Sequence, residues 1–325
     1  MALVTLEMIE EAEDTIRGLV LETPLIRSEK LSEITKGEVF LKLENTQHTN
    51  SFKIRGALNR MSRLSPGERE RGVVTASSGN HAQAVARAAQ ELNIPATIVI
   101  PANVSGAKLE KIRRYDVDIV LEGGFDEVEA RARELAEDTG KPYISPYNDA
   151  DVIAGQGTIG LEIIRQLNSF DSIIVPVGGG GLISGIAIAV KALRPETHVM
   201  GVQTEGAATM YQSWLAGKIV QIEEFETLAE AFLGGLEPDS MTFDLIAQNV
   251  DELVLTEEVT VAKAIRLLWL EHNQIVEGAG ATSIGPIVED PERFKGMTVV
   301  AIVSGGNIEQ SLYDRIVDGI WFESD

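Results

Sequence analysis

The sequence predicts an α/β fold built on mostly parallel sheet. Two observations carry that expectation: short Val- and Ile-rich runs alternate with amphipathic stretches, and glycine-rich turns fall where such runs end. Ala96–Pro101, Val117–Leu121, Ser172–Val177, His198–Gln203 and Met297–Val303 read as buried strands. Asn80–Leu92, Ser105–Tyr115, Asp126–Thr139 and Leu182–Leu193 read as the helices between them. The 30 glycines concentrate at Ser77–Asn80 (SSGN), Gly155–Gly160 (GQGTIG), Gly178–Gly181 (GGGG) and Ser304–Asn307 (SGGN). The first, third and fourth follow strand-like runs, the position where parallel α/β sheets bind ligands.

Composition narrows the function. The chain has 325 residues, a formal net charge of −22 and a mean hydropathy of +0.03. At roughly 150 residues per domain this length suggests about two domains. The acidic balance argues against nucleic acid and against a polybasic membrane surface, which need clustered cations. With 0 cysteines the chain has no disulfide, thiolate metal site or Cys nucleophile. The N-terminus is acidic and helical in pattern, not a basic segment ahead of an apolar run, and no apolar stretch approaches the ~18 residues of a membrane helix. A cytoplasmic protein is expected.

The chemistry starts at Gly178, Gly179, Gly180 and Gly181. A turn needs one or two glycines; four together let several main-chain N–H groups approach one anion at a helix N-terminus, and a phosphate is the natural guest. No Gly-Lys-Ser/Thr follows, which excludes a Walker loop. The dinucleotide fingerprint fails because, from whichever glycine it starts, Leu182, Ile183 or Ser184 stands where one of its glycines belongs. Lys53, in TNSFKIRGA, lies where a helical pattern begins. Most lone lysines are solvated, but the helix dipole at an N-terminus disfavours the ammonium and leaves a nucleophilic amine. A phosphate cradle and an amine nucleophile are the two contacts that pyridoxal phosphate requires.

Six segments occur in order: SFKIRGA around Lys53, SSGNHAQA from Ser77, IAGQGTIGLEI from Ile153, PVGGGGLISGIA from Pro176, VEGAGA from Val276 and SGGN from Ser304. The set closely resembles the serine/threonine dehydratase and serine racemase group of fold-type-II pyridoxal-phosphate enzymes, over nearly the whole chain. GNHAQ points to the dehydratase branch, since sulfhydrylases of this fold type usually carry a GNTG-like loop. The resemblance implies a tryptophan synthase β-like architecture of two open parallel-sheet α/β domains with pyridoxal 5′-phosphate in the cleft. Residues 1–66 and 150–325 would form the large cofactor-binding domain and 67–149 the small one. The length implies no C-terminal regulatory domain.

Carried over residue by residue, the resemblance makes Lys53 the Schiff-base lysine and the base at Cα. Phe52 packs against the pyridine ring, Asn80 bonds the 3′-oxygen, Gly178 to Gly181 hold the phosphate and Ser304 meets the pyridine nitrogen. Ser77, Ser78, Gly79, Asn80 and His81 receive the substrate carboxylate. A hydroxyl at Ser304 leaves the ring a weaker electron sink than an aspartate would, which favours β-elimination over transamination. The implied reaction turns a 3-hydroxy amino acid (threonine, serine, 3-hydroxyaspartate or phenylserine) into a 2-oxo acid and ammonia. Ser78 matches the opposite-face acid/base of serine racemases, yet dehydratases carry serine there too. A racemase and a non-catalytic cofactor-carrying protein therefore stand as alternatives. A homodimer or larger homo-oligomer acting on a small amino acid is expected.

Three features depart from the group's pattern. Asn50 stands where TGSFK is common, and Asn tolerates left-handed φ. Leu228–Ala231 reads LAEA where relatives have an LADG-like segment beside the substrate. Gln203 and Thr209 replace acidic cation ligands, so no metal site is expected. His48, His198 and His272 lack metal-ligand spacing, and Glu277 reads equally as a cofactor neighbour or a structural cap. The surplus acid belongs to the surface, because the inferred ligands are anions.

Overall fold

The computed structural model describes residues 4–323. Its strands are β1 Leu25–Arg27, β2 Glu38–Leu43, β3 Val73–Ala76, β4 Ala96–Pro101, β5 Asp118–Glu122, β6 Ser172–Pro176, β7 His198–Thr204, β8 Glu252–Thr256 and β9 Thr298–Val303. Six of them form one sheet in the order β1-β2-β9-β6-β7-β8, and β3-β4-β5 form a second sheet. Every pairing is parallel except β1 with β2. The register Leu43↔Val303 places the ends of β2 and β9 side by side, next to the end of β6.

Alternation along β9 explains how the large sheet is buried. Val299, Ala301 and Val303 enter one apolar cluster with Leu41 and Ile265, while Val300 and Ile302 enter another with Ile183 and Ile186. A sheet covered by helices on both faces needs apolar residues at both parities. Around the small sheet, Val128, Ala132 and Ala136 give the helix Phe125–Thr139 a buried stripe, and its acidic residues Glu127, Glu134 and Glu137 face outward.

The five foreseen strands are present with ends shifted by about one residue, as at Val117, Met297 and Val177. β5 is not the buried strand expected: it lies at an edge of the small sheet, its residues are exposed or half-buried, and Leu121 faces outward. β3 answers to the strand-like run expected ahead of Ser77, and β1, β2 and β8 were not foreseen. β2 carries Lys42, which is fully buried and breaks the apolar pattern of the strand. The GQGTIG glycines lie inside the helix Ala150–Gln166 and not at a strand end. A Cβ on Gly155 would come within 2.7 Å of the Gly56 Cα, so these glycines serve close helix packing.

Lys42 belongs to a buried ionic lattice beneath the helix Lys53–Ser62. Arg55, 0% exposed, meets Glu44 through Nε and Nη2 at 2.9 Å each and Glu162 through Nη1 at 2.6 Å and Nη2 at 3.0 Å. Lys42 Nζ donates to Glu162 at 2.6 Å and to the Thr23 carbonyl at 2.8 Å. Burial opposes the Arg55 charge, but the two carboxylates outweigh it and hold its pKa above the usual value. The lattice joins β2, the helix carrying Lys53 and the helix Ala150–Gln166.

Candidate active site

The loops after β2, β3, β6 and β9 converge on a cavity of about 1390 Å³. Lys53, Ser78, Asn80, Gly179, Glu277 and Ser304 are among its lining residues. Phe52, Ser77, Gly79 and His81 line it as well, so every site residue named from the sequence reaches one space.

Lys53 opens the helix Lys53–Ser62, with Phe52 as its N-cap. Its Nζ donates to the Pro146 carbonyl at 2.8 Å and stands 5.1 Å from the Phe52 ring centroid. Among the described residues no carboxylate pairs with this amine. Burial pulls its pKa down to about 8, against the pull of Glu277 in the other direction. Desolvation is the larger of these two influences and favours the neutral amine.

The approach to Lys53 is strained. Thr49 and Asn50 have φ of +64° and +55°. Asn50 adopts the left-handed conformation expected of it; Thr49, β-branched, is the costlier of the two. Gly306 N–H bonds the Asn50 carbonyl at 2.9 Å, and Phe52 N–H bonds the Ser304 carbonyl at 3.2 Å. The strand-end loop carrying Ser304 thus holds the loop carrying Lys53.

Gly178 to Gly181 run from β6 into the helix Gly181–Leu193. Gly180 has φ +87°, and a Cβ on Gly179 would lie 2.4 Å from the Tyr147 ring. Thr242 Oγ1 donates to the Gly179 carbonyl at 2.7 Å, which fixes that peptide plane. The first N–H groups of the helix have no intrahelical acceptor and are available to an anion.

Asn80 begins the helix Asn80–Leu92. Its Nδ2 donates to Glu277 Oε1 at 2.6 Å, and its Oδ1 accepts from Asn307 Nδ2 at 2.7 Å. Burial pushes the Glu277 carboxyl up, with the Asn80 amide opposing. Glu277 stands in the cavity wall and is also the N-cap residue of the helix Gly278–Ala281, so its position meets both readings. His81 is buried, its Nε2 3.0 Å from the Ile144 carbonyl, and burial with the nearby Lys53 charge pulls its pKa down to about 3. A neutral, engaged imidazole leaves the main-chain N–H of His81 as its means of meeting a carboxylate.

Sequence reasoning left Tyr147, Lys111, Lys108 and Asn307 unassigned, although all but Asn307 lie outside the quoted motifs. Lys108 Nζ pairs with Glu230 at 2.8 Å and Lys111 Nζ donates to Asn307 Oδ1 at 3.1 Å, both across the cavity. Gln203 Oε1 accepts from Tyr211 N–H and Thr209 Oγ1 donates to Glu224, so both departures serve local structure. Among the described residues no three His, Cys, Asp or Glu side chains are grouped to hold a metal.

The donor set suits pyridoxal phosphate. It combines a buried amine without a carboxylate partner, main-chain donors at a glycine-lined helix start, and a 4% exposed serine facing the same space. The family model for pyridoxal-phosphate dependent enzymes matches residues 16–305, and the chain belongs to that family. Pyridoxal phosphate is its cofactor.

Two relatives and one solved structure locate it more closely. The chain is 45% identical to an L-threonine ammonia-lyase of Thermotoga maritima, over 97% of this chain and 79% of the relative. It is 40% identical to a catabolic L-threonine dehydratase of Staphylococcus aureus, over 97% of this chain and 92% of the relative. Its fold matches maize serine racemase with a TM-score of 0.91 and 32% identity, covering 100% of both chains.

Proposed function

We propose that the protein is an ammonia-lyase that converts L-threonine or L-serine to a 2-oxo acid and ammonia by β-elimination. The observation that carries this reading is the Lys53 amine, buried, bonded to a carbonyl and set between a phosphate cradle and Ser304. The similarity to relatives named for threonine deamination supports it. The organisation proposed for the chain, a small domain of residues 67–149 between the two parts of a larger one, is supported by the separation of β3–β5 from the large sheet.

Bound pyridoxal phosphate supplies an electron sink for the charge left at the substrate Cα. Main-chain N–H groups of Gly178–Gly181 would hold the phosphate, Phe52 would flank the ring, and Ser304 would offer its hydroxyl to the ring nitrogen. N–H groups and hydroxyls of Ser77–His81 bind the substrate carboxylate. Lys53 Nζ takes the Cα proton, aided by burial that lowers the pKa of the free amine to about 8. The Cβ hydroxyl leaves as water after gaining a proton, and one water then hydrolyses the released enamine to the oxo acid and ammonia. Ser78 lines the same cavity, so racemisation is the competing outcome.

Incubation with L- and D-3-hydroxy amino acids, following oxo acid, ammonia and chirality, decides between these outcomes. Oxo acid from L-threonine without D-enantiomer is expected. D-enantiomer without oxo acid overturns the lyase reading, and no turnover on any substrate indicates a cofactor-carrying binding protein.

A further inference from the structure

We propose that Asn307 is a positioning residue that sets the orientation of the Asn80 amide and so decides which side of that amide faces the bound ring. Asn307 makes three side-chain hydrogen bonds, using both of its N–H donors. Its Oδ1 accepts from Lys111 Nζ at 3.1 Å, and its Nδ2 donates to the Thr49 carbonyl at 2.8 Å and to Asn80 Oδ1 at 2.7 Å. An ammonium only donates and a main-chain carbonyl only accepts, so the Asn307 amide cannot be turned over. With a donor facing it, Asn80 must present Oδ1 to Asn307 and Nδ2 to the Glu277 carboxylate, 2.6 Å away.

Reversing Asn80 would set N–H against N–H and oxygen against a carboxylate oxygen. The polarity therefore runs one way, from Lys111 through Asn307 and Asn80 to Glu277. One Asn80 N–H then remains with no protein acceptor among the described residues, on a side chain that lines the cavity. A ligand oxygen that accepts a hydrogen bond is what completes it. This rests on the pyridoxal-phosphate reading above, in which that oxygen is the 3′-oxygen.

The same amide joins three segments that local sequence keeps apart. They are the left-handed turn ahead of Lys53, the first turn of the helix Asn80–Leu92, and the helix Gly106–Arg113 on the far side of the cavity. A side chain so placed transmits the position of Lys111 to the groups that flank the cofactor.

Two variants separate orientation from packing. Asn307→Asp keeps the shape and the Lys111 partner but turns an acceptor toward Asn80, driving its amide to flip. Asn307→Ala removes the bonds without imposing the wrong one. Both variants lose the Thr49 bond, and the carboxylate also faces that carbonyl, so the absorption band isolates orientation: orientation control predicts a band displaced in Asn307→Asp alone, whereas a packing role predicts like bands in both.

The measurements are the pyridoxal-phosphate Kd by fluorescence quenching, the position of the visible absorption band, and the split of KM and kcat on L-threonine. We expect the Kd to rise about tenfold in Asn307→Asp and about threefold in Asn307→Ala, with the band displaced only in the first. An Asn307→Asp band displaced no further than that of Asn307→Ala overturns the proposal. Should Asn307→Asp not fold, Lys111→Met decides the question. Removing the orienting donor is expected to raise the Kd about threefold, and an unchanged Kd and band overturn the proposal. Wild-type protein that binds no pyridoxal phosphate instead defeats the underlying functional reading.

Discussion

The glycine run Gly178–Gly181 and the group Asn80, Asn307 and Glu277 face the same cavity but are made of different materials. The first offers main-chain N–H groups, held by packing against Tyr147 and by the Thr242 bond to the Gly179 carbonyl. The second offers side-chain amides whose direction depends on a chain of neighbours. Main-chain donors keep their direction as long as the backbone keeps its path. Amide donors can be reversed without any change of shape, so the second wall fails by misorientation where the first fails by collision. Lys53 stands between them, tied to one side by its own loop and fixed by a carbonyl from the other.

The largest expected effect comes from removing what both walls serve. Lys53→Ala should lower L-threonine turnover by about a thousandfold or more and abolish the visible absorption of lysine-bound pyridoxal phosphate. A full band in that variant would falsify the assignment. Since the neutral amine is the attacking form and burial brings its pKa to about 8, capture of pyridoxal phosphate by cofactor-free protein should accelerate up to about that pH and then level off. A rate still climbing toward pH 10 in stopped-flow absorbance would indicate a solvated amine.

Collision at the glycine wall should come next. In Gly179→Ala the added methyl would meet the Tyr147 ring at 2.4 Å, so stability should fall by about 1–3 kcal/mol and the cofactor Kd should rise about tenfold. Thermal unfolding and fluorescence titration report the two effects separately. A variant with wild-type affinity would mean that the glycines serve only the turn. The smallest effect lies at Thr49, which combines φ +64° with a buried Oγ1 that has no partner. Thr49→Gly should raise stability by about 0.5–1 kcal/mol, relief of the left-handed strain outweighing the added freedom of the unfolded chain. A loss of that size in thermal unfolding would show that the threonine side chain holds the turn.

The contrast between the walls also explains what the sequence could reveal. Four adjacent glycines are visible because the absence of Cβ atoms is itself the signal, and a strand-to-helix junction gives them a place. Lys53, Ser304 and the β9 run were legible for similar reasons: Lys53 opens a helical pattern, Ser304 follows a strand end, and β9 is a run of one character. Asn307 was quoted within SGGN, but an amide declares no role until its partners are in place, and Lys111 and Thr49 lie far from it in the chain. β2 stayed hidden because Lys42 interrupts it, and that charge makes sense only beside Glu162. The desolvation that lowers the Lys53 pKa likewise depends on tertiary burial, of which the helix start gave a partial account.

The lattice around Arg55 has a consequence for how this chain can vary. Losing one partner of a buried ion pair costs about 3–5 kcal/mol, whereas replacing a whole set by apolar groups can be neutral. Lys42, Glu44, Arg55 and Glu162 therefore form a block in which single changes are penalised and concerted ones are permitted. Such a block is inherited as one character, and a descendant can leave it only by a jump at several positions together.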